Sequence, residues 1–310
     1  MLTKKCAILS SFLLLLTGIL QAQFRTTDFR LLGKVESVQS VTYAYGNPSK
    51  TEVSGFLDSE QFDSVYLKFD RRRNLILREN FLDYRGKLGL FDRTILQINP
   101  SNQLEKLETT LIQNGEEPRK ISQRKKFYYL RNQLVRQDEF NSGRTSDQYW
   151  VTNYHYEKGN LIAKHFWMED ELFSVDRLEY NLRNQISKET NFHNNGRSGK
   201  TVEYIYSDGV STKKITTSGN EKTIESFIYN DGFLSGYELI EKSGRLLEAK
   251  TYNRDGLIKS VKKFNHLSQS IDNYDFKYKK DRENNWVFCE ISKNSLPVYL
   301  VKRKINYFKN

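Results

Sequence analysis

The chain holds four histidines, His155, His165, His193 and His266. None stands in a metal-ligand spacing such as His-x-x-x-His, so no transition-metal site is read from them. There is no Gly-x-Ser-x-Gly elbow and no glycine-rich phosphate loop ahead of a helix. Single acids at Asp208, Asp231 and Asp255 fall where turns are expected. A calcium loop needs several oxygen ligands at close intervals, so these acids are read as turn-formers. The expectation is a chain without a catalytic set, a metal or a cofactor. Paired carboxylates for glycoside hydrolysis meet only in space, which keeps a hydrolase with a dispersed site as the weakest alternative.

The sharpest local constellation is aromatic. QYWVTNYHY (148–156) and LIAKHFWM (161–168) flank the turn residues EKGN. With Tyr156 set opposite Leu161, Trp150 falls opposite Trp167 and Val151 opposite Phe166. In that register Trp150, Thr152, Tyr154, Tyr156, His165 and Trp167 share one face, and His155 and His165 lie on opposite faces. Trp150, Tyr154, Tyr156 and Trp167 are therefore the candidate ligand-binding residues, as a sugar-stacking platform. The competing role for the same residues is an inter-repeat core, where cross-strand aromatic pairs add about 0.5–1.5 kcal/mol beyond area burial.

Basic clusters come next. Arg71-Arg72-Arg73 occupies a turn, Arg124-Lys125-Lys126 opens a strand, and Lys302-Arg303-Lys304 lies near the end. Strand geometry sends alternate residues to opposite faces, so only half of each cluster can share a surface. The whole chain has a formal net charge of +11, of which Lys4 and Lys5 belong to the leader described below. Such a balance favours acidic surfaces. For an exported chain these are an acidic glycan or an anionic lipid surface rather than nucleic acid. Solvated strand faces and lysine protection of sheet edges account for the same charges without a ligand.

The elements that position these residues repeat. An aromatic or aliphatic anchor, a polar turn and an aliphatic restart recur at Phe69, Ile98, Tyr128, Tyr156, Tyr180, Tyr206, Tyr229, Tyr252 and Tyr278, spaced 29, 30, 28, 24, 26, 23, 23 and 26 residues apart. Each copy predicts a β-hairpin. KTVEYIYS alternates with period two, and Asp208-Gly209, Asp231-Gly232 and Asp255-Gly256 supply the positive φ that tight turns demand. Two strands per copy gives about 18 strands. One hairpin alone is unstable in water, so each copy must cover the next. The predicted fold is all-β, an array of antiparallel hairpins forming one extended, twisted or curled sheet. Cys289, in the strand-like run WVFCEI, is read as a small buried hydrophobe.

YNRDGLI (252–258) and YEKGNLI (156–162) resemble the YD repeat of Rhs-type bacterial proteins, with a hairpin logic similar to MORN repeats. The end of the chain resembles that of small exported YD-like proteins of Gram-negative bacteria. The matching residues are Phe276-Lys277-Tyr278, Asp281, Asn285-Trp286 and Lys304-Ile305-Asn306-Tyr307. The resemblance covers about residues 62 to 308. Arg73 and Asn184 depart from it where glycine is expected, and Ile98 replaces the aromatic. It implies the fold. The toxin-enclosing role of large Rhs proteins is not implied, because too few copies are present.

Lys4 and Lys5, the apolar run from Ile8 to Leu20 and the small residue Ala22 form a secretory signal layout. Residues 1–22 are read as a signal peptide, 23–61 as N-terminal cap strands blunting the edge of the array, and 62–310 as the YD-like array. The expected compartment is the periplasm or cell exterior of a Gram-negative bacterium. The expected function is non-enzymatic, a β surface for contact with a protein or a cell-envelope component. A carbohydrate-binding module is the alternative. An outer-membrane barrel is disfavoured, since Lys259 and Lys263 lie on one strand face and Lys262 on the other.

Overall fold

A computed structural model describes residues 29–45, 63–84, 87–112, 121–142 and 146–309. The leader, residues 1–22, and the irregular stretch 46–61 lie outside the described residues. The chain opens with β1 (Val35–Ala44), β2 (Ser64–Phe69), β3 (Leu75–Tyr84), β4 (Lys87–Ile98) and β5 (Leu104–Leu111). It continues through β6 (Ile121–Leu130), β7 (Gln133–Asn141), β8 (Gln148–Glu157), β9 (Asn160–Met168) and β10 (Glu171–Tyr180). Then come β11 (Ile186–His193), β12 (Ser198–Ser207), β13 (Val210–Ser218), β14 (Glu221–Asn230) and β15 (Phe233–Glu241). The last five are β16 (Leu246–Tyr252), β17 (Ile258–Asn265), β18 (Ser270–Lys280), β19 (Trp286–Lys293) and β20 (Leu296–Tyr307).

Every strand pairs antiparallel with the one before it and the one after it, and β20 pairs with β1. The sheet is a closed barrel of 20 strands, not the extended open array expected from the repeats. The nine repeated hairpins run from β2–β3 to β18–β19. The tenth pair is made by the two ends of the chain, β20 and β1, in register from Val35↔Tyr307 to Ala44↔Tyr299. The stretch read as an edge cap thus supplies a full strand with neighbours on both sides. Closure removes the edge that a cap would have had to protect.

The turns at one end of the barrel come in two chemistries. Arg131-Asn132, Lys158-Gly159, Asp208-Gly209 and Asp231-Gly232 are two-residue turns with positive φ at both positions, the geometry that matches strand twist. The longer turns start on Asp or Asn. Asp70, Asn99, Asn181, Asn253 and Asp281 each accept, through Oδ1, the backbone N–H four residues on. Their left-handed position is Gly256 in one copy, but Arg73 (φ 69°) and Asn184 (φ 60°) in two others. The missing glycines are therefore replaced by residues bent into the glycine conformation.

One further device was not expected from the pattern. In all nine hairpins the register slips by one residue just before the anchor position, as between His155 and Tyr156. Each is a β-bulge, which puts two residues of one strand against one of the other. It also corrects two anchors. Tyr129 rather than Tyr128 faces Leu134, and Lys280 rather than Tyr278 faces Trp286. The anchor tyrosines join successive hairpins. Tyr129, Tyr156, Tyr180 and Tyr206 donate their hydroxyls to the carbonyls of Leu104, Leu134, Leu161 and Ile186, the restart residues of the preceding copies, at 2.8–2.9 Å.

The inward face is apolar near these turns. Phe69, Leu75, Leu104, Leu134, Leu257 and Trp286 are buried there, and in β18–β20 the apolar core runs on along the strands through Cys289, buried as expected, Ile291 and Val301. Residues 29–33 overlie this end. Phe29 meets the Phe69 ring edge-on at 5.7 Å, and Leu31 enters the core. Asn285 holds the backbone of Leu32, accepting its N–H at 2.6 Å and donating to its carbonyl at 2.9 Å.

Further along the strands the inward face becomes polar and self-paired. Lys125 binds Glu139 at 2.8 Å, Lys214 binds Glu225 at 2.8 Å, and Lys293 binds Asp272 at 3.1 Å. The outward face is charged at mid-strand as well, with Arg93 on Glu79 and Arg124 on Glu108, both at 2.7 Å. An outward band carrying such pairs is not built to face hydrocarbon.

Candidate binding surface

A shallow concavity lies on the outward face of β6, β7 and β8. It is lined by Arg124, Lys126, Asp138, Phe140 and Tyr149. Strand alternation assembles it. Arg124, Lys126 and Tyr128 point out from β6, while Lys125 and Phe127 point in and are buried. Cross-strand register then sets Arg124 against Phe140, Lys126 against Asp138, and Phe140 against Tyr149. The basic run 124–126 is thus split between the faces, as the alternation required.

Asp138 is the hub. It accepts Arg136 Nε at 2.6 Å and the Tyr128 hydroxyl at 3.1 Å. Desolvation raises the pKa of Tyr128 and Tyr149, and bonding to Asp138 raises both further. The same carboxylate raises Arg136, against its desolvation. Both phenols are accordingly neutral donors at physiological pH. Arg124 is shared with Glu108. Burial pushes the Glu108 carboxyl up, but the hydrogen bonds and charges of Lys106 and Arg124 outweigh it and hold it below its ordinary value. Lys126 has no acidic partner among the described residues. Tyr128 and Tyr149 are 41% and 42% exposed.

Chemically, the pocket offers two cations for an acidic group, ring faces for an apolar or sugar surface, and a carboxylate acceptor for hydroxyls. Asp138 is the one acid lining it, whereas glycoside hydrolysis ordinarily uses two. Among the described residues no group of three or more His, Cys, Asp and Glu converges as a metal cage.

The four aromatic residues singled out in the sequence do not share a face. Because of the bulge before Tyr156, Trp150 pairs with Met168 and Val151 with Trp167. Trp150, Tyr154 and Tyr156 point inward and Trp167 outward. Trp150 packs edge-on against Phe173 at 5.3 Å. Burial lifts the Tyr154 hydroxyl far above the ordinary phenol range. Tyr156 serves the hairpin ladder, and the Trp167 Nε1 is buried without a hydrogen-bond partner among the described residues. The same slip brings His155 and His165 to one face, ring centroids 4.1 Å apart, where opposite faces were expected. Tyr149, Asp138 and Phe140 were not singled out. The alternation in RKKFYYL marks one wall of their pocket, but its other walls depend on registers that the bulges shift.

No family model matches the chain, and no curated protein matches it. Among solved structures it is similar to the Tc holotoxin pore of Photorhabdus luminescens, at 12% identity and a TM-score of 0.36 over 78% of this chain. The chain spans only 16% of that protein. It is also similar to a porin-like protein from Bacteroides uniformis, at 9% identity and a TM-score of 0.36, covering 89% of this chain and 98% of that one. A porin-like protein from Bacteroides vulgatus follows at 14% identity and a TM-score of 0.25, covering 89% and 99%. These are likenesses between β-structured chains, and no residue role is transferred from them.

Proposed function

We propose that this chain is an exported, non-enzymatic barrel of the YD-repeat type that binds an acidic glycan of the cell envelope on its outward β6–β8 surface. The observation that carries the reading is the pocket itself, with Arg124 and Lys126 beside Phe140 and Tyr149 around a hydrogen-bonded Asp138. Sugar rings stack on exposed aromatic faces, and uronate or sulfate groups meet arginine and lysine. Lys126, exposed and without an acidic partner among the described residues, is the cation of this surface with capacity to spare. The leader in residues 1–22 supports export, and the repeat strings support YD kinship.

The test is affinity electrophoresis of the purified chain, lacking its leader, in gels containing alginate or neutral dextran. Retardation by alginate alone, weakened by salt, is expected. It should vanish in Arg124→Ala/Lys126→Ala and fall in Tyr149→Ala, with circular dichroism unchanged. Mobility that ignores alginate removes the glycan reading, and retardation that survives these substitutions removes the site. Mass spectrometry of the secreted chain should place its first residue at Gln23.

A further inference from the structure

Opposite the end covered by residues 29–33, one turn carries a leucine and the neighbouring turn is followed by another. Leu267, between β17 and β18, is 98% exposed, and Leu296, the first residue of β20, is 71% exposed. Beside them Ile271 opens β18, and Tyr43 and Tyr45 stand at the end of β1, 48% and 45% exposed. Scattered exposed leucines are ordinary. These residues instead form one arc, because the turns and strand ends that carry them are bonded together. The Asn294 N–H donates to the Asn273 carbonyl at 2.8 Å, and Asn294 Oδ1 accepts the Asn273 N–H at 3.0 Å. The Tyr45 N–H donates to the Val298 carbonyl at 2.9 Å.

The arc is also held in shape. Asn265 Oδ1 accepts the N–H groups of Leu267 and Ser268 at 3.0 and 3.3 Å, and Gln269 Nε2 donates to the His266 carbonyl at 2.7 Å. Asn294 and Ser295 form a tight turn with φ of 48° and 71°. A fully exposed leucine on a turn fixed by hydrogen bonds loses little further freedom on docking. Residues 266–271 and 294–296 contain no Asp, Glu, Lys or Arg. Behind them, on the outward face, Lys262 and Lys302 stand nearest the arc, while Lys277 is paired across strands with Glu290 and Lys304 lies toward the covered end. Lys302 Nζ lies 5.3 Å from the Tyr43 ring centroid.

We propose that this arc docks on an anionic bilayer surface. Leu267, Leu296 and Ile271 enter the interface, Tyr43 and Tyr45 sit at headgroup level, and the lysines behind them meet lipid phosphates. The barrel lies on the membrane without spanning it. The proposal shares with the glycan reading the expectation of export, but it uses a different surface.

The experiment is co-sedimentation of the leaderless chain with vesicles of phosphatidylcholine alone or with about a third phosphatidylglycerol. Binding to the anionic vesicles, reduced by salt, is expected. Leu267→Asp/Leu296→Asp should lower it roughly tenfold while leaving circular dichroism and alginate retardation unchanged. Lys302→Ala should weaken it and leave a smaller salt response. No sedimentation with anionic vesicles overturns the proposal, as does binding indifferent to the leucine substitutions. A dimer in size-exclusion chromatography that those substitutions make monomeric, without vesicle binding, assigns the arc to a second copy instead.

Discussion

The Tyr180 hydroxyl donates to the Leu161 carbonyl at 2.8 Å, tying one hairpin to the one before it. Leu161 is buried, so its carbonyl has little access to water. The same bond recurs from Tyr129, Tyr156 and Tyr206. Tyr180→Phe keeps the ring and removes the donor, which should cost about 1 kcal/mol in urea denaturation. Tyr129→Phe and Tyr206→Phe belong to well-separated hairpins, so their costs should add within about 0.5 kcal/mol. A Phe variant as stable as the parent would show the bond to be incidental.

Lys125 and Lys126 are adjacent in sequence and opposite in consequence. Lys125 is buried against Glu139, while Lys126 is exposed on the outward face. Lys125→Ala leaves a carboxylate without its cation and should destabilise by about 3 kcal/mol. Lys126→Ala should change stability by less than about 0.5 kcal/mol and act on glycan retardation instead. Equal losses from both would mean that the β6 face assignment is reversed.

This contrast shows what the sequence made legible. Period-two alternation in RKKF put the two lysines on opposite faces, because the pleat fixes it within a strand. The hairpin array was legible for the same reason, as was the burial of Cys289. Closure was not. It rests on β1 meeting β20, residues such as Val38 and Ile305 at opposite ends of the chain, and no local pattern encodes that pairing. The Trp150 and Trp167 assignment failed through the bulge at His155 and Tyr156. One extra residue sends every later side chain to the other face. Asp138 and Tyr149 could not be joined on paper for a related reason, since their meeting depends on three strands and two registers.

Arg73 and Asn184 hold the same left-handed position in equivalent turns. Arginine gains nothing there, because its Cβ crowds the backbone and, among the described residues, no side-chain bond compensates. Arg73→Gly should therefore raise stability by up to about 1 kcal/mol, after the larger chain entropy of glycine is deducted. Asparagine tolerates the conformation, and the Asn184 amide exchanges hydrogen bonds with Asn160 at 2.5 and 3.2 Å. Asn184→Gly should lower stability by about 0.5–1 kcal/mol. Opposite signs from one substitution in two matching turns are the outcome to look for in paired urea titrations.

His165 should make the barrel sensitive to mild acid. Partial burial lowers its pKa first, and the nearby His155 and Arg177 lower it further. The folded chain thus refuses a proton that the unfolded chain accepts. The stability this residue contributes is complete above the ordinary imidazole value of 6.5 and is lost as pH falls through the depressed one. Urea midpoints measured on both sides of that window should fall toward acid in the parent. His165→Gln should flatten that part of the fall. An unchanged slope in the variant would assign the acid response to other groups.

Asn285 secures the point where the barrel is covered. Its side chain, 1% exposed, grips Leu32 through both amide atoms, and Nδ2 also donates to the Tyr307 hydroxyl at 2.8 Å. Tyr307 in turn donates to Asp281 at 2.5 Å. Burial, then this bond to Asp281, pushes its phenol up to about 12. Asn285→Leu would remove both partners of the half-exposed Leu32 backbone, at a cost of about 1–2 kcal/mol. Early proteolytic cleavage around residues 29–33 should report the loosened segment. Asn285→Asp separates the roles of the two amide atoms. Its carboxylate can accept the Leu32 N–H but repels the Leu32 carbonyl, so the segment should release at neutral pH. Protonation restores a donor, so protection should return as pH falls. Cleavage that is equally slow at both pH values would place the grip on the acceptor oxygen alone.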